Sequence, residues 1–135
     1  APSSIEITER VASGLTMPIV STSPEIRHGL GNVIENATDF AATRVDVTIT
    51  VLPNIVVLLI ADDGPGFAHT VLGDLGEPYV STRRADGGMG LGLFIAKTLL
   101  ERTGAQVTFH NAASGGAEVA IRWPRDILSA TEMAP

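Results

Sequence analysis

The chain contains no cysteine. That absence removes disulfides, thiolate catalysis and cysteine-held zinc or iron–sulfur centres, and it fits a reducing cytoplasm. No apolar run approaches the roughly 18 residues of a membrane-spanning helix, and no stretch reads as a signal peptide. Basic residues are scarce, nine Lys and Arg against fifteen Asp and Glu, for a net charge of −6. A nucleic-acid surface needs clustered Lys and Arg, so that class is excluded. There is no internal repeat, no low-complexity tract, and no Gly-Lys-Ser/Thr of a P-loop. The chain opens Ala-Pro-Ser-Ser without Met, as expected of a piece of a longer protein, so the missing membrane segment says nothing of the parent.

What is present is one domain's worth of chain. A length of 135 residues, 44% of them apolar, suffices to hide roughly two-thirds of the unfolded surface in one core. Residues 1–135 are expected to form that single domain, with 125–135 as a loosely attached tail. Ile5 to Val11 alternates as a strand, and Leu15 to Val20 reads as a second short one interrupted by Pro18. Ser23-Pro24-Glu25 is a helix start: Ser23 caps, Pro24 suits the first helical position, and Glu25 favours the dipole. The helix is expected to reach about Ala42, burying Ile26, Leu30, Val33, Ala37 and Phe40.

Val45 to Val51 and the nearly continuous apolar run Ile55 to Ala61 form a hairpin around Pro53-Asn54. Residues 63 to 90 read as a long loop with a short helix near His69 to Leu75. Loops of that length in a compact domain are often active-site lids. Leu91 to Arg102 is a second helix stopped by Gly104. Gln106 to Asn111 and Ala117 to Trp123 form a last hairpin through Ala113-Ser114-Gly115-Gly116. Paired strands imply a mixed, mainly antiparallel sheet with helices on one face, a two-layer α/β sandwich.

Three motifs stand on this frame. Asn32 and Asn36 share a helix face, and an asparagine oxygen is a hard neutral ligand suited to Mg²⁺, which shares its sphere with water and phosphates. For a lone pair of asparagines, a structural role is the commoner reading. Asp62 ends a buried strand before Gly64-Pro65-Gly66. A carboxylate there can accept from the exocyclic amine of adenine, although Asp-Gly and Pro-Gly are also ordinary turn pairs, and Asp63 reads as turn chemistry. Gly88, Gly90 and Gly92 flank Leu91 just before a helix whose free N–H groups suit phosphate. Their bland reading is a hinge. His28 reads as structural or solvent-facing.

In order and spacing, Asn32-Val33-Ile34-Glu35-Asn36-Ala37, Asp62-Asp63-Gly64-Pro65-Gly66 and Gly88-Met89-Gly90-Leu91-Gly92 together resemble the N, G1 and G2 boxes of a Bergerat-fold ATP site, as in the catalytic domain of sensor histidine kinases. Glu77-Pro78-Tyr79-Val80-Ser81-Thr82-Arg83-Arg84 resembles the F box, and Gly115-Gly116 the G3 turn. The likeness runs from about Pro24 to Pro124. The stretches from His28 to Ala41 and from Gly76 to Arg84 look most similar to the RegB/PrrB class of redox-responsive kinases.

The resemblance implies ATP and Mg²⁺ as cofactors, with Asn36 on the metal and Asp62 on adenine. Gly64, Gly66, Gly88, Gly90, Leu91 and Gly92 would line the nucleotide. Asn32, Arg83 and Arg84 would stand near the transferred phosphoryl group, where bidentate arginine suits phosphate. It also implies transfer to a histidine on a separate helical dimerisation domain, with a response regulator downstream, in the cytoplasmic part of a membrane-bound kinase. The acceptor segment is absent, so no autophosphorylation is expected of this chain, nor any contact with a membrane.

Two positions depart from the pattern: Asp39 stands where many such kinases carry Lys or Arg, and Ala117 where Ser or Thr is frequent. The gyrase-type ATPases, the heat-shock chaperone and the anti-sigma-factor serine kinases carry a basic Glu where this chain has Asn32, which cannot act as a general base. The alternatives are an anti-sigma-type serine kinase, which the small size fits, and a non-catalytic nucleotide-binding regulatory module.

Overall fold

The structure is a computed structural model that describes residues 4–11, 23–68, 72 and 89–124. Its elements run β1 (Ser4–Val11), α1 (Pro24–Phe40), β2 (Arg44–Val51), β3 (Ile55–Asp62), α2 (Met89–Glu101), β4 (Gln106–Asn111) and β5 (Ala117–Pro124). The five strands form one sheet in the order β1-β2-β3-β5-β4. Only β1 runs parallel to its neighbour. The other three pairings are antiparallel, so the expected mixed, mainly antiparallel sheet is found. The suggested strand at 15–20, the expected loop at 63–90 apart from residues 63–68, 72, 89 and 90, the short helix expected near 69–75 apart from Leu72, and the tail from 125 lie outside the described residues.

Local chemistry accounts for the element ends. Ser23 caps α1, its hydroxyl oxygen accepting from the Ile26 N–H at 3.1 Å, with Pro24 in the first helical position. The Leu52 N–H donates to the Ile55 carbonyl at 2.9 Å and closes the Pro53-Asn54 turn. Gly104, at φ 95°, ends α2. There the Gly104 N–H reaches the Glu101 carbonyl and the Ala105 N–H reaches that of Leu100, the paired bonds of a Schellman stop.

The core lies between the sheet and the two helices. Val45, Val51, Ile60, Ile121, Leu93, Leu100 and Val33 are its largest sealed side chains. Strand β3 alternates fully buried Val56, Leu58 and Ile60 with half-buried neighbours, so its continuous apolar run conceals a two-sided difference. The helices meet closely at Gly29, where an added Cβ would stand 2.6 Å from Leu100 Cγ. Near the C-terminal end of β5, Trp123 donates its indole N–H to the Thr103 hydroxyl at 2.8 Å, which ties β5 to the end of α2.

Three details correct the sequence reading. Helix α1 ends at Phe40 with Ala41 extended as its cap, short of Ala42. Phe40 is 39% exposed, whereas the expected Val33 and Ala37 are buried and Leu30 packs on the core; Gly29 joins the buried stripe, because glycine lets α2 approach where a larger side chain would hold it away. Helix α2 runs Met89–Glu101, two residues ahead of the expected start at Leu91, so Gly90 as well as Leu91 and Gly92 belongs to its first turn.

Candidate nucleotide site

The end of β3, the turn after it, the β4–β5 turn and the end of α1 converge on one corner. Asp62 is half-buried. Its Oδ1 accepts from the Gly64 N–H at 2.8 Å and from the Ala117 N–H at 3.4 Å. Its Oδ2 has no hydrogen bond among the described residues. The carboxylate is thus oriented by backbone donors on one oxygen and keeps the other available as an acceptor.

Backbone oxygens demand glycine twice at this corner, and Gly66, at φ 85°, is a further left-handed position where an added Cβ would lie 2.8 Å from Asn111 Oδ1. An added Cβ on Gly64 would lie 2.0 Å from the Phe40 carbonyl oxygen, and one on Gly116, at φ 93°, would lie 2.0 Å from the Asp62 carbonyl oxygen. Both contacts are with backbone and have no flexible side chain to yield. The Asp-Gly-Pro-Gly turn therefore packs on the end of α1 while the Gly115-Gly116 turn packs on Asp62.

Asp63 turns away to the link between α1 and β2. Its Oδ1 accepts from the N–H groups of Ala42 at 2.9 Å, Thr43 at 2.9 Å and Arg44 at 3.2 Å. The Thr43 hydroxyl donates to Oδ2. That hydroxyl, followed by the backbone donors, holds the exposed carboxyl well below the usual carboxylate range. The sequence placed Asp63 in the chemistry of its own turn, but among the described residues its carboxylate bonds only to the α1–β2 link, about 20 residues away.

Sequence reasoning missed Asn111. Its side-chain oxygen accepts from the Phe67 N–H at 2.7 Å, and its amide donates to the Phe67 carbonyl at 2.9 Å. Phe67 is buried and meets Phe109 edge-on with ring centroids 6.1 Å apart. The chain leaving the Gly66 turn is thereby stapled to β4. No sequence signal links positions so far apart in the chain.

Asn32 and Asn36 are half-buried on α1, about two turns and one turn before Phe40, whose carbonyl touches Gly64. The helix bearing both asparagines therefore ends on the turn that follows Asp62. Gly90, Leu91 and Gly92 lie in the opening turn of α2, where the first four N–H groups lack intrahelical acceptors. An added Cβ on Gly92 would meet nothing within 4 Å, so no described packing requires glycine there. Arg83, Arg84 and Gly88 lie outside the described residues. Asp39 and His28 are exposed. His110 is exposed too and pairs across the strands with Glu118. Among the described residues no three His, Cys, Asp or Glu side chains gather to hold a metal. The amide oxygen of Asn36 is a hard neutral donor of the type that suits Mg²⁺ shared with phosphates. No described helix is long and apolar enough to cross a membrane.

A five-stranded sheet under two helices thus brings together, at one corner, an oriented carboxylate at a glycine turn and the end of an asparagine-bearing helix. Comparison with known proteins gives it a family. Residues 21–127 match the family model for histidine kinase-, DNA gyrase B- and HSP90-like ATPases, and the chain belongs to that family. It is 41% identical to the sensor histidine kinase RegB of Cereibacter sphaeroides over 87% of its own length and 30% of that protein's. It is 31% identical to the sensor histidine kinase GtrS of Pseudomonas aeruginosa over 90% of its length and 24% of that protein's. A crystal structure of full-length ShkA in complex with AMPPNP is similar with a TM-score of 0.64 and 32% identity, covering 89% of this chain and 25% of that one. The fold and these relatives make the chain an ATP-binding catalytic domain of the sensor-histidine-kinase type. It spans less than a third of the length of these relatives.

Proposed function

We propose that this domain binds ATP with Mg²⁺ and donates the γ-phosphoryl group to a histidine on a separate dimerisation domain of the parent kinase, for onward transfer to a response regulator. The observation that carries the reading is Asp62. A half-buried carboxylate with one oxygen fixed by the Gly64 and Ala117 N–H groups is an acceptor set for an amine. Adenine offers an exocyclic amine at that edge and guanine an oxygen, so Asp62 favours adenine.

The remaining roles follow from charge and position. Phosphoryl transfer depends mainly on holding donor and acceptor in line and neutralising phosphate charge. Asn36 would hold the metal and the opening N–H groups of α2 would meet phosphate oxygens. Gly92 would let the backbone come close to them. Arg83 and Arg84 would supply positive charge, which the acidic chain does not provide globally. Bound Mg²⁺ would neutralise charge on the phosphates. Asn32, an amide where hydrolytic and serine-directed relatives use a basic Glu, would orient the phosphoryl group and not remove a proton. A neutral imidazole is already a nucleophile and needs no such base. The similarity to RegB supports a parent protein in a redox-responsive, membrane-associated signalling system, with this domain on the cytoplasmic side.

Calorimetric titration with ATP, with and without Mg²⁺, tests the reading. Binding is expected, strengthened by Mg²⁺ and lost in Asp62→Asn, whose amide would oppose the adenine amine. A folded protein that gives no heat and does not displace a fluorescent ATP analogue would overturn it.

A further inference from the structure

Asp63 sits close to a helix C-terminus, where an anion is electrostatically disfavoured. The last turn of α1 holds no basic residue, and its cap, Ala41, is extended and not a glycine. What Asp63 gains there is a run of successive backbone donors: the N–H groups of Ala42, Thr43 and Arg44 converge on Oδ1, and the Thr43 hydroxyl closes on Oδ2. Successive N–H groups form an anion-binding concavity, here filled by a carboxylate from a distant part of the chain. Four bonds thus join the segment leaving α1 to the turn leaving β3.

The two elements so joined are the ones that carry Asn36 and Asp62. Asp62 has its own, separate donors, Gly64 and Ala117, and does not need Asp63 for its orientation. We infer that Asp63 is a positioning residue that sets the distance between the metal end and the adenine end of the site, an inference that rests on the proposed ATP reading. A ligand gripped at both ends gains from the second contact only if the two grips are spaced for it in advance. Gly64, pressed on the Phe40 carbonyl, limits how closely the two elements approach. Asp63 adds four bonds against their separating, beyond the β2–β3 pairing that sets Val45 opposite Asp62.

The test compares adenosine, which has a base and no phosphate, with ATP and Mg²⁺, by NMR titration of the 135-residue chain and its variants. The readout is the factor by which ATP with Mg²⁺ binds more tightly than adenosine. In Asp63→Ala adenosine affinity should hold within about two-fold while this factor falls about ten-fold, the worth of roughly one charge-assisted hydrogen bond. Asp63→Asn keeps an oxygen for the three N–H groups and should restore most of the factor. Thr43→Val, which removes one bond of the four, gives the same change in smaller measure and serves if Asp63→Ala does not fold. An unchanged factor in both Asp63→Ala and Thr43→Val overturns the inference, as does an equal loss of adenosine and ATP binding, which marks a purely structural residue. A wild-type chain that binds neither ligand overturns the ATP reading itself and the inference with it.

Discussion

Replacing Gly92 by alanine separates what the fold asks of this residue from what a ligand asks. Gly92 lies in the first turn of α2 without a positive φ, and among the described residues a Cβ there meets nothing within 4 Å. Alanine is therefore accommodated, and in a helix it is favoured over glycine by about 0.5–1 kcal/mol. For a domain of this size that corresponds to a rise in Tm of about 2–5 °C. The same methyl group would stand on the opening turn where phosphate is proposed to approach the backbone. ATP affinity is expected to fall about ten-fold or more, or about 1.4 kcal/mol. Thermal denaturation without nucleotide and calorimetry with ATP, run on the same preparation, read both effects. A stabler protein with undiminished ATP binding would refute the phosphate role of Gly92. A less stable one would refute the account of its packing.

Other outcomes follow from the same corner. Gly116→Ala adds a left-handed non-glycine residue and a Cβ 2.0 Å from the Asp62 carbonyl oxygen; strain of about 1–3 kcal/mol before any clash should lower the urea midpoint clearly, whereas Gly115→Ala, with open space around it, meets only the strain. Asn111→Ala leaves the Phe67 N–H and carbonyl without their partners and should cost about 1–3 kcal/mol in denaturant unfolding, a loss that Asn111→Asp should not fully repair because only one arm can be remade. Asp63 has a lowered folded-state pKa, so the stability it lends is present above the ordinary carboxylate value of about 4 and is lost as pH falls from there through the folded value. The acid-unfolding curve of Asp63→Asn should accordingly be shallower below pH ~4 than that of wild type, and equal slopes would refute the assignment.

Much of this fold was legible in the sequence because its signals are local. Ser23-Pro24 acts within one helical turn, Pro53-Asn54 within one hairpin and Gly104 within one helix end, and each acts as its chemistry dictates. The boundary of α2 was misplaced by the glycines themselves. Gly90 and Gly92 have low helix propensity, and tertiary packing through Leu93, Ala96 and Leu100 carries the helix back to Met89 regardless. Phe40 misled for the opposite reason: its spacing fits the buried stripe, but α1 ends there, and a last-turn side chain need not follow the face set by Gly29 and Val33. The site divides the same way. Asp62 and its glycines form a recognisable string, yet the reasons for two glycines lie in backbone oxygens elsewhere, Phe40 for Gly64 and Asp62 for Gly116. Asn111 and Asp63 act across 44 and about 20 residues of chain, through bonds that no spacing rule encodes. A glycine that the fold explains is weak evidence for a ligand, and one that the fold leaves unexplained is stronger. By that measure Gly92 speaks for nucleotide more directly than Gly64 or Gly116, although the Asp-x-Gly-x-Gly string is the more conspicuous motif.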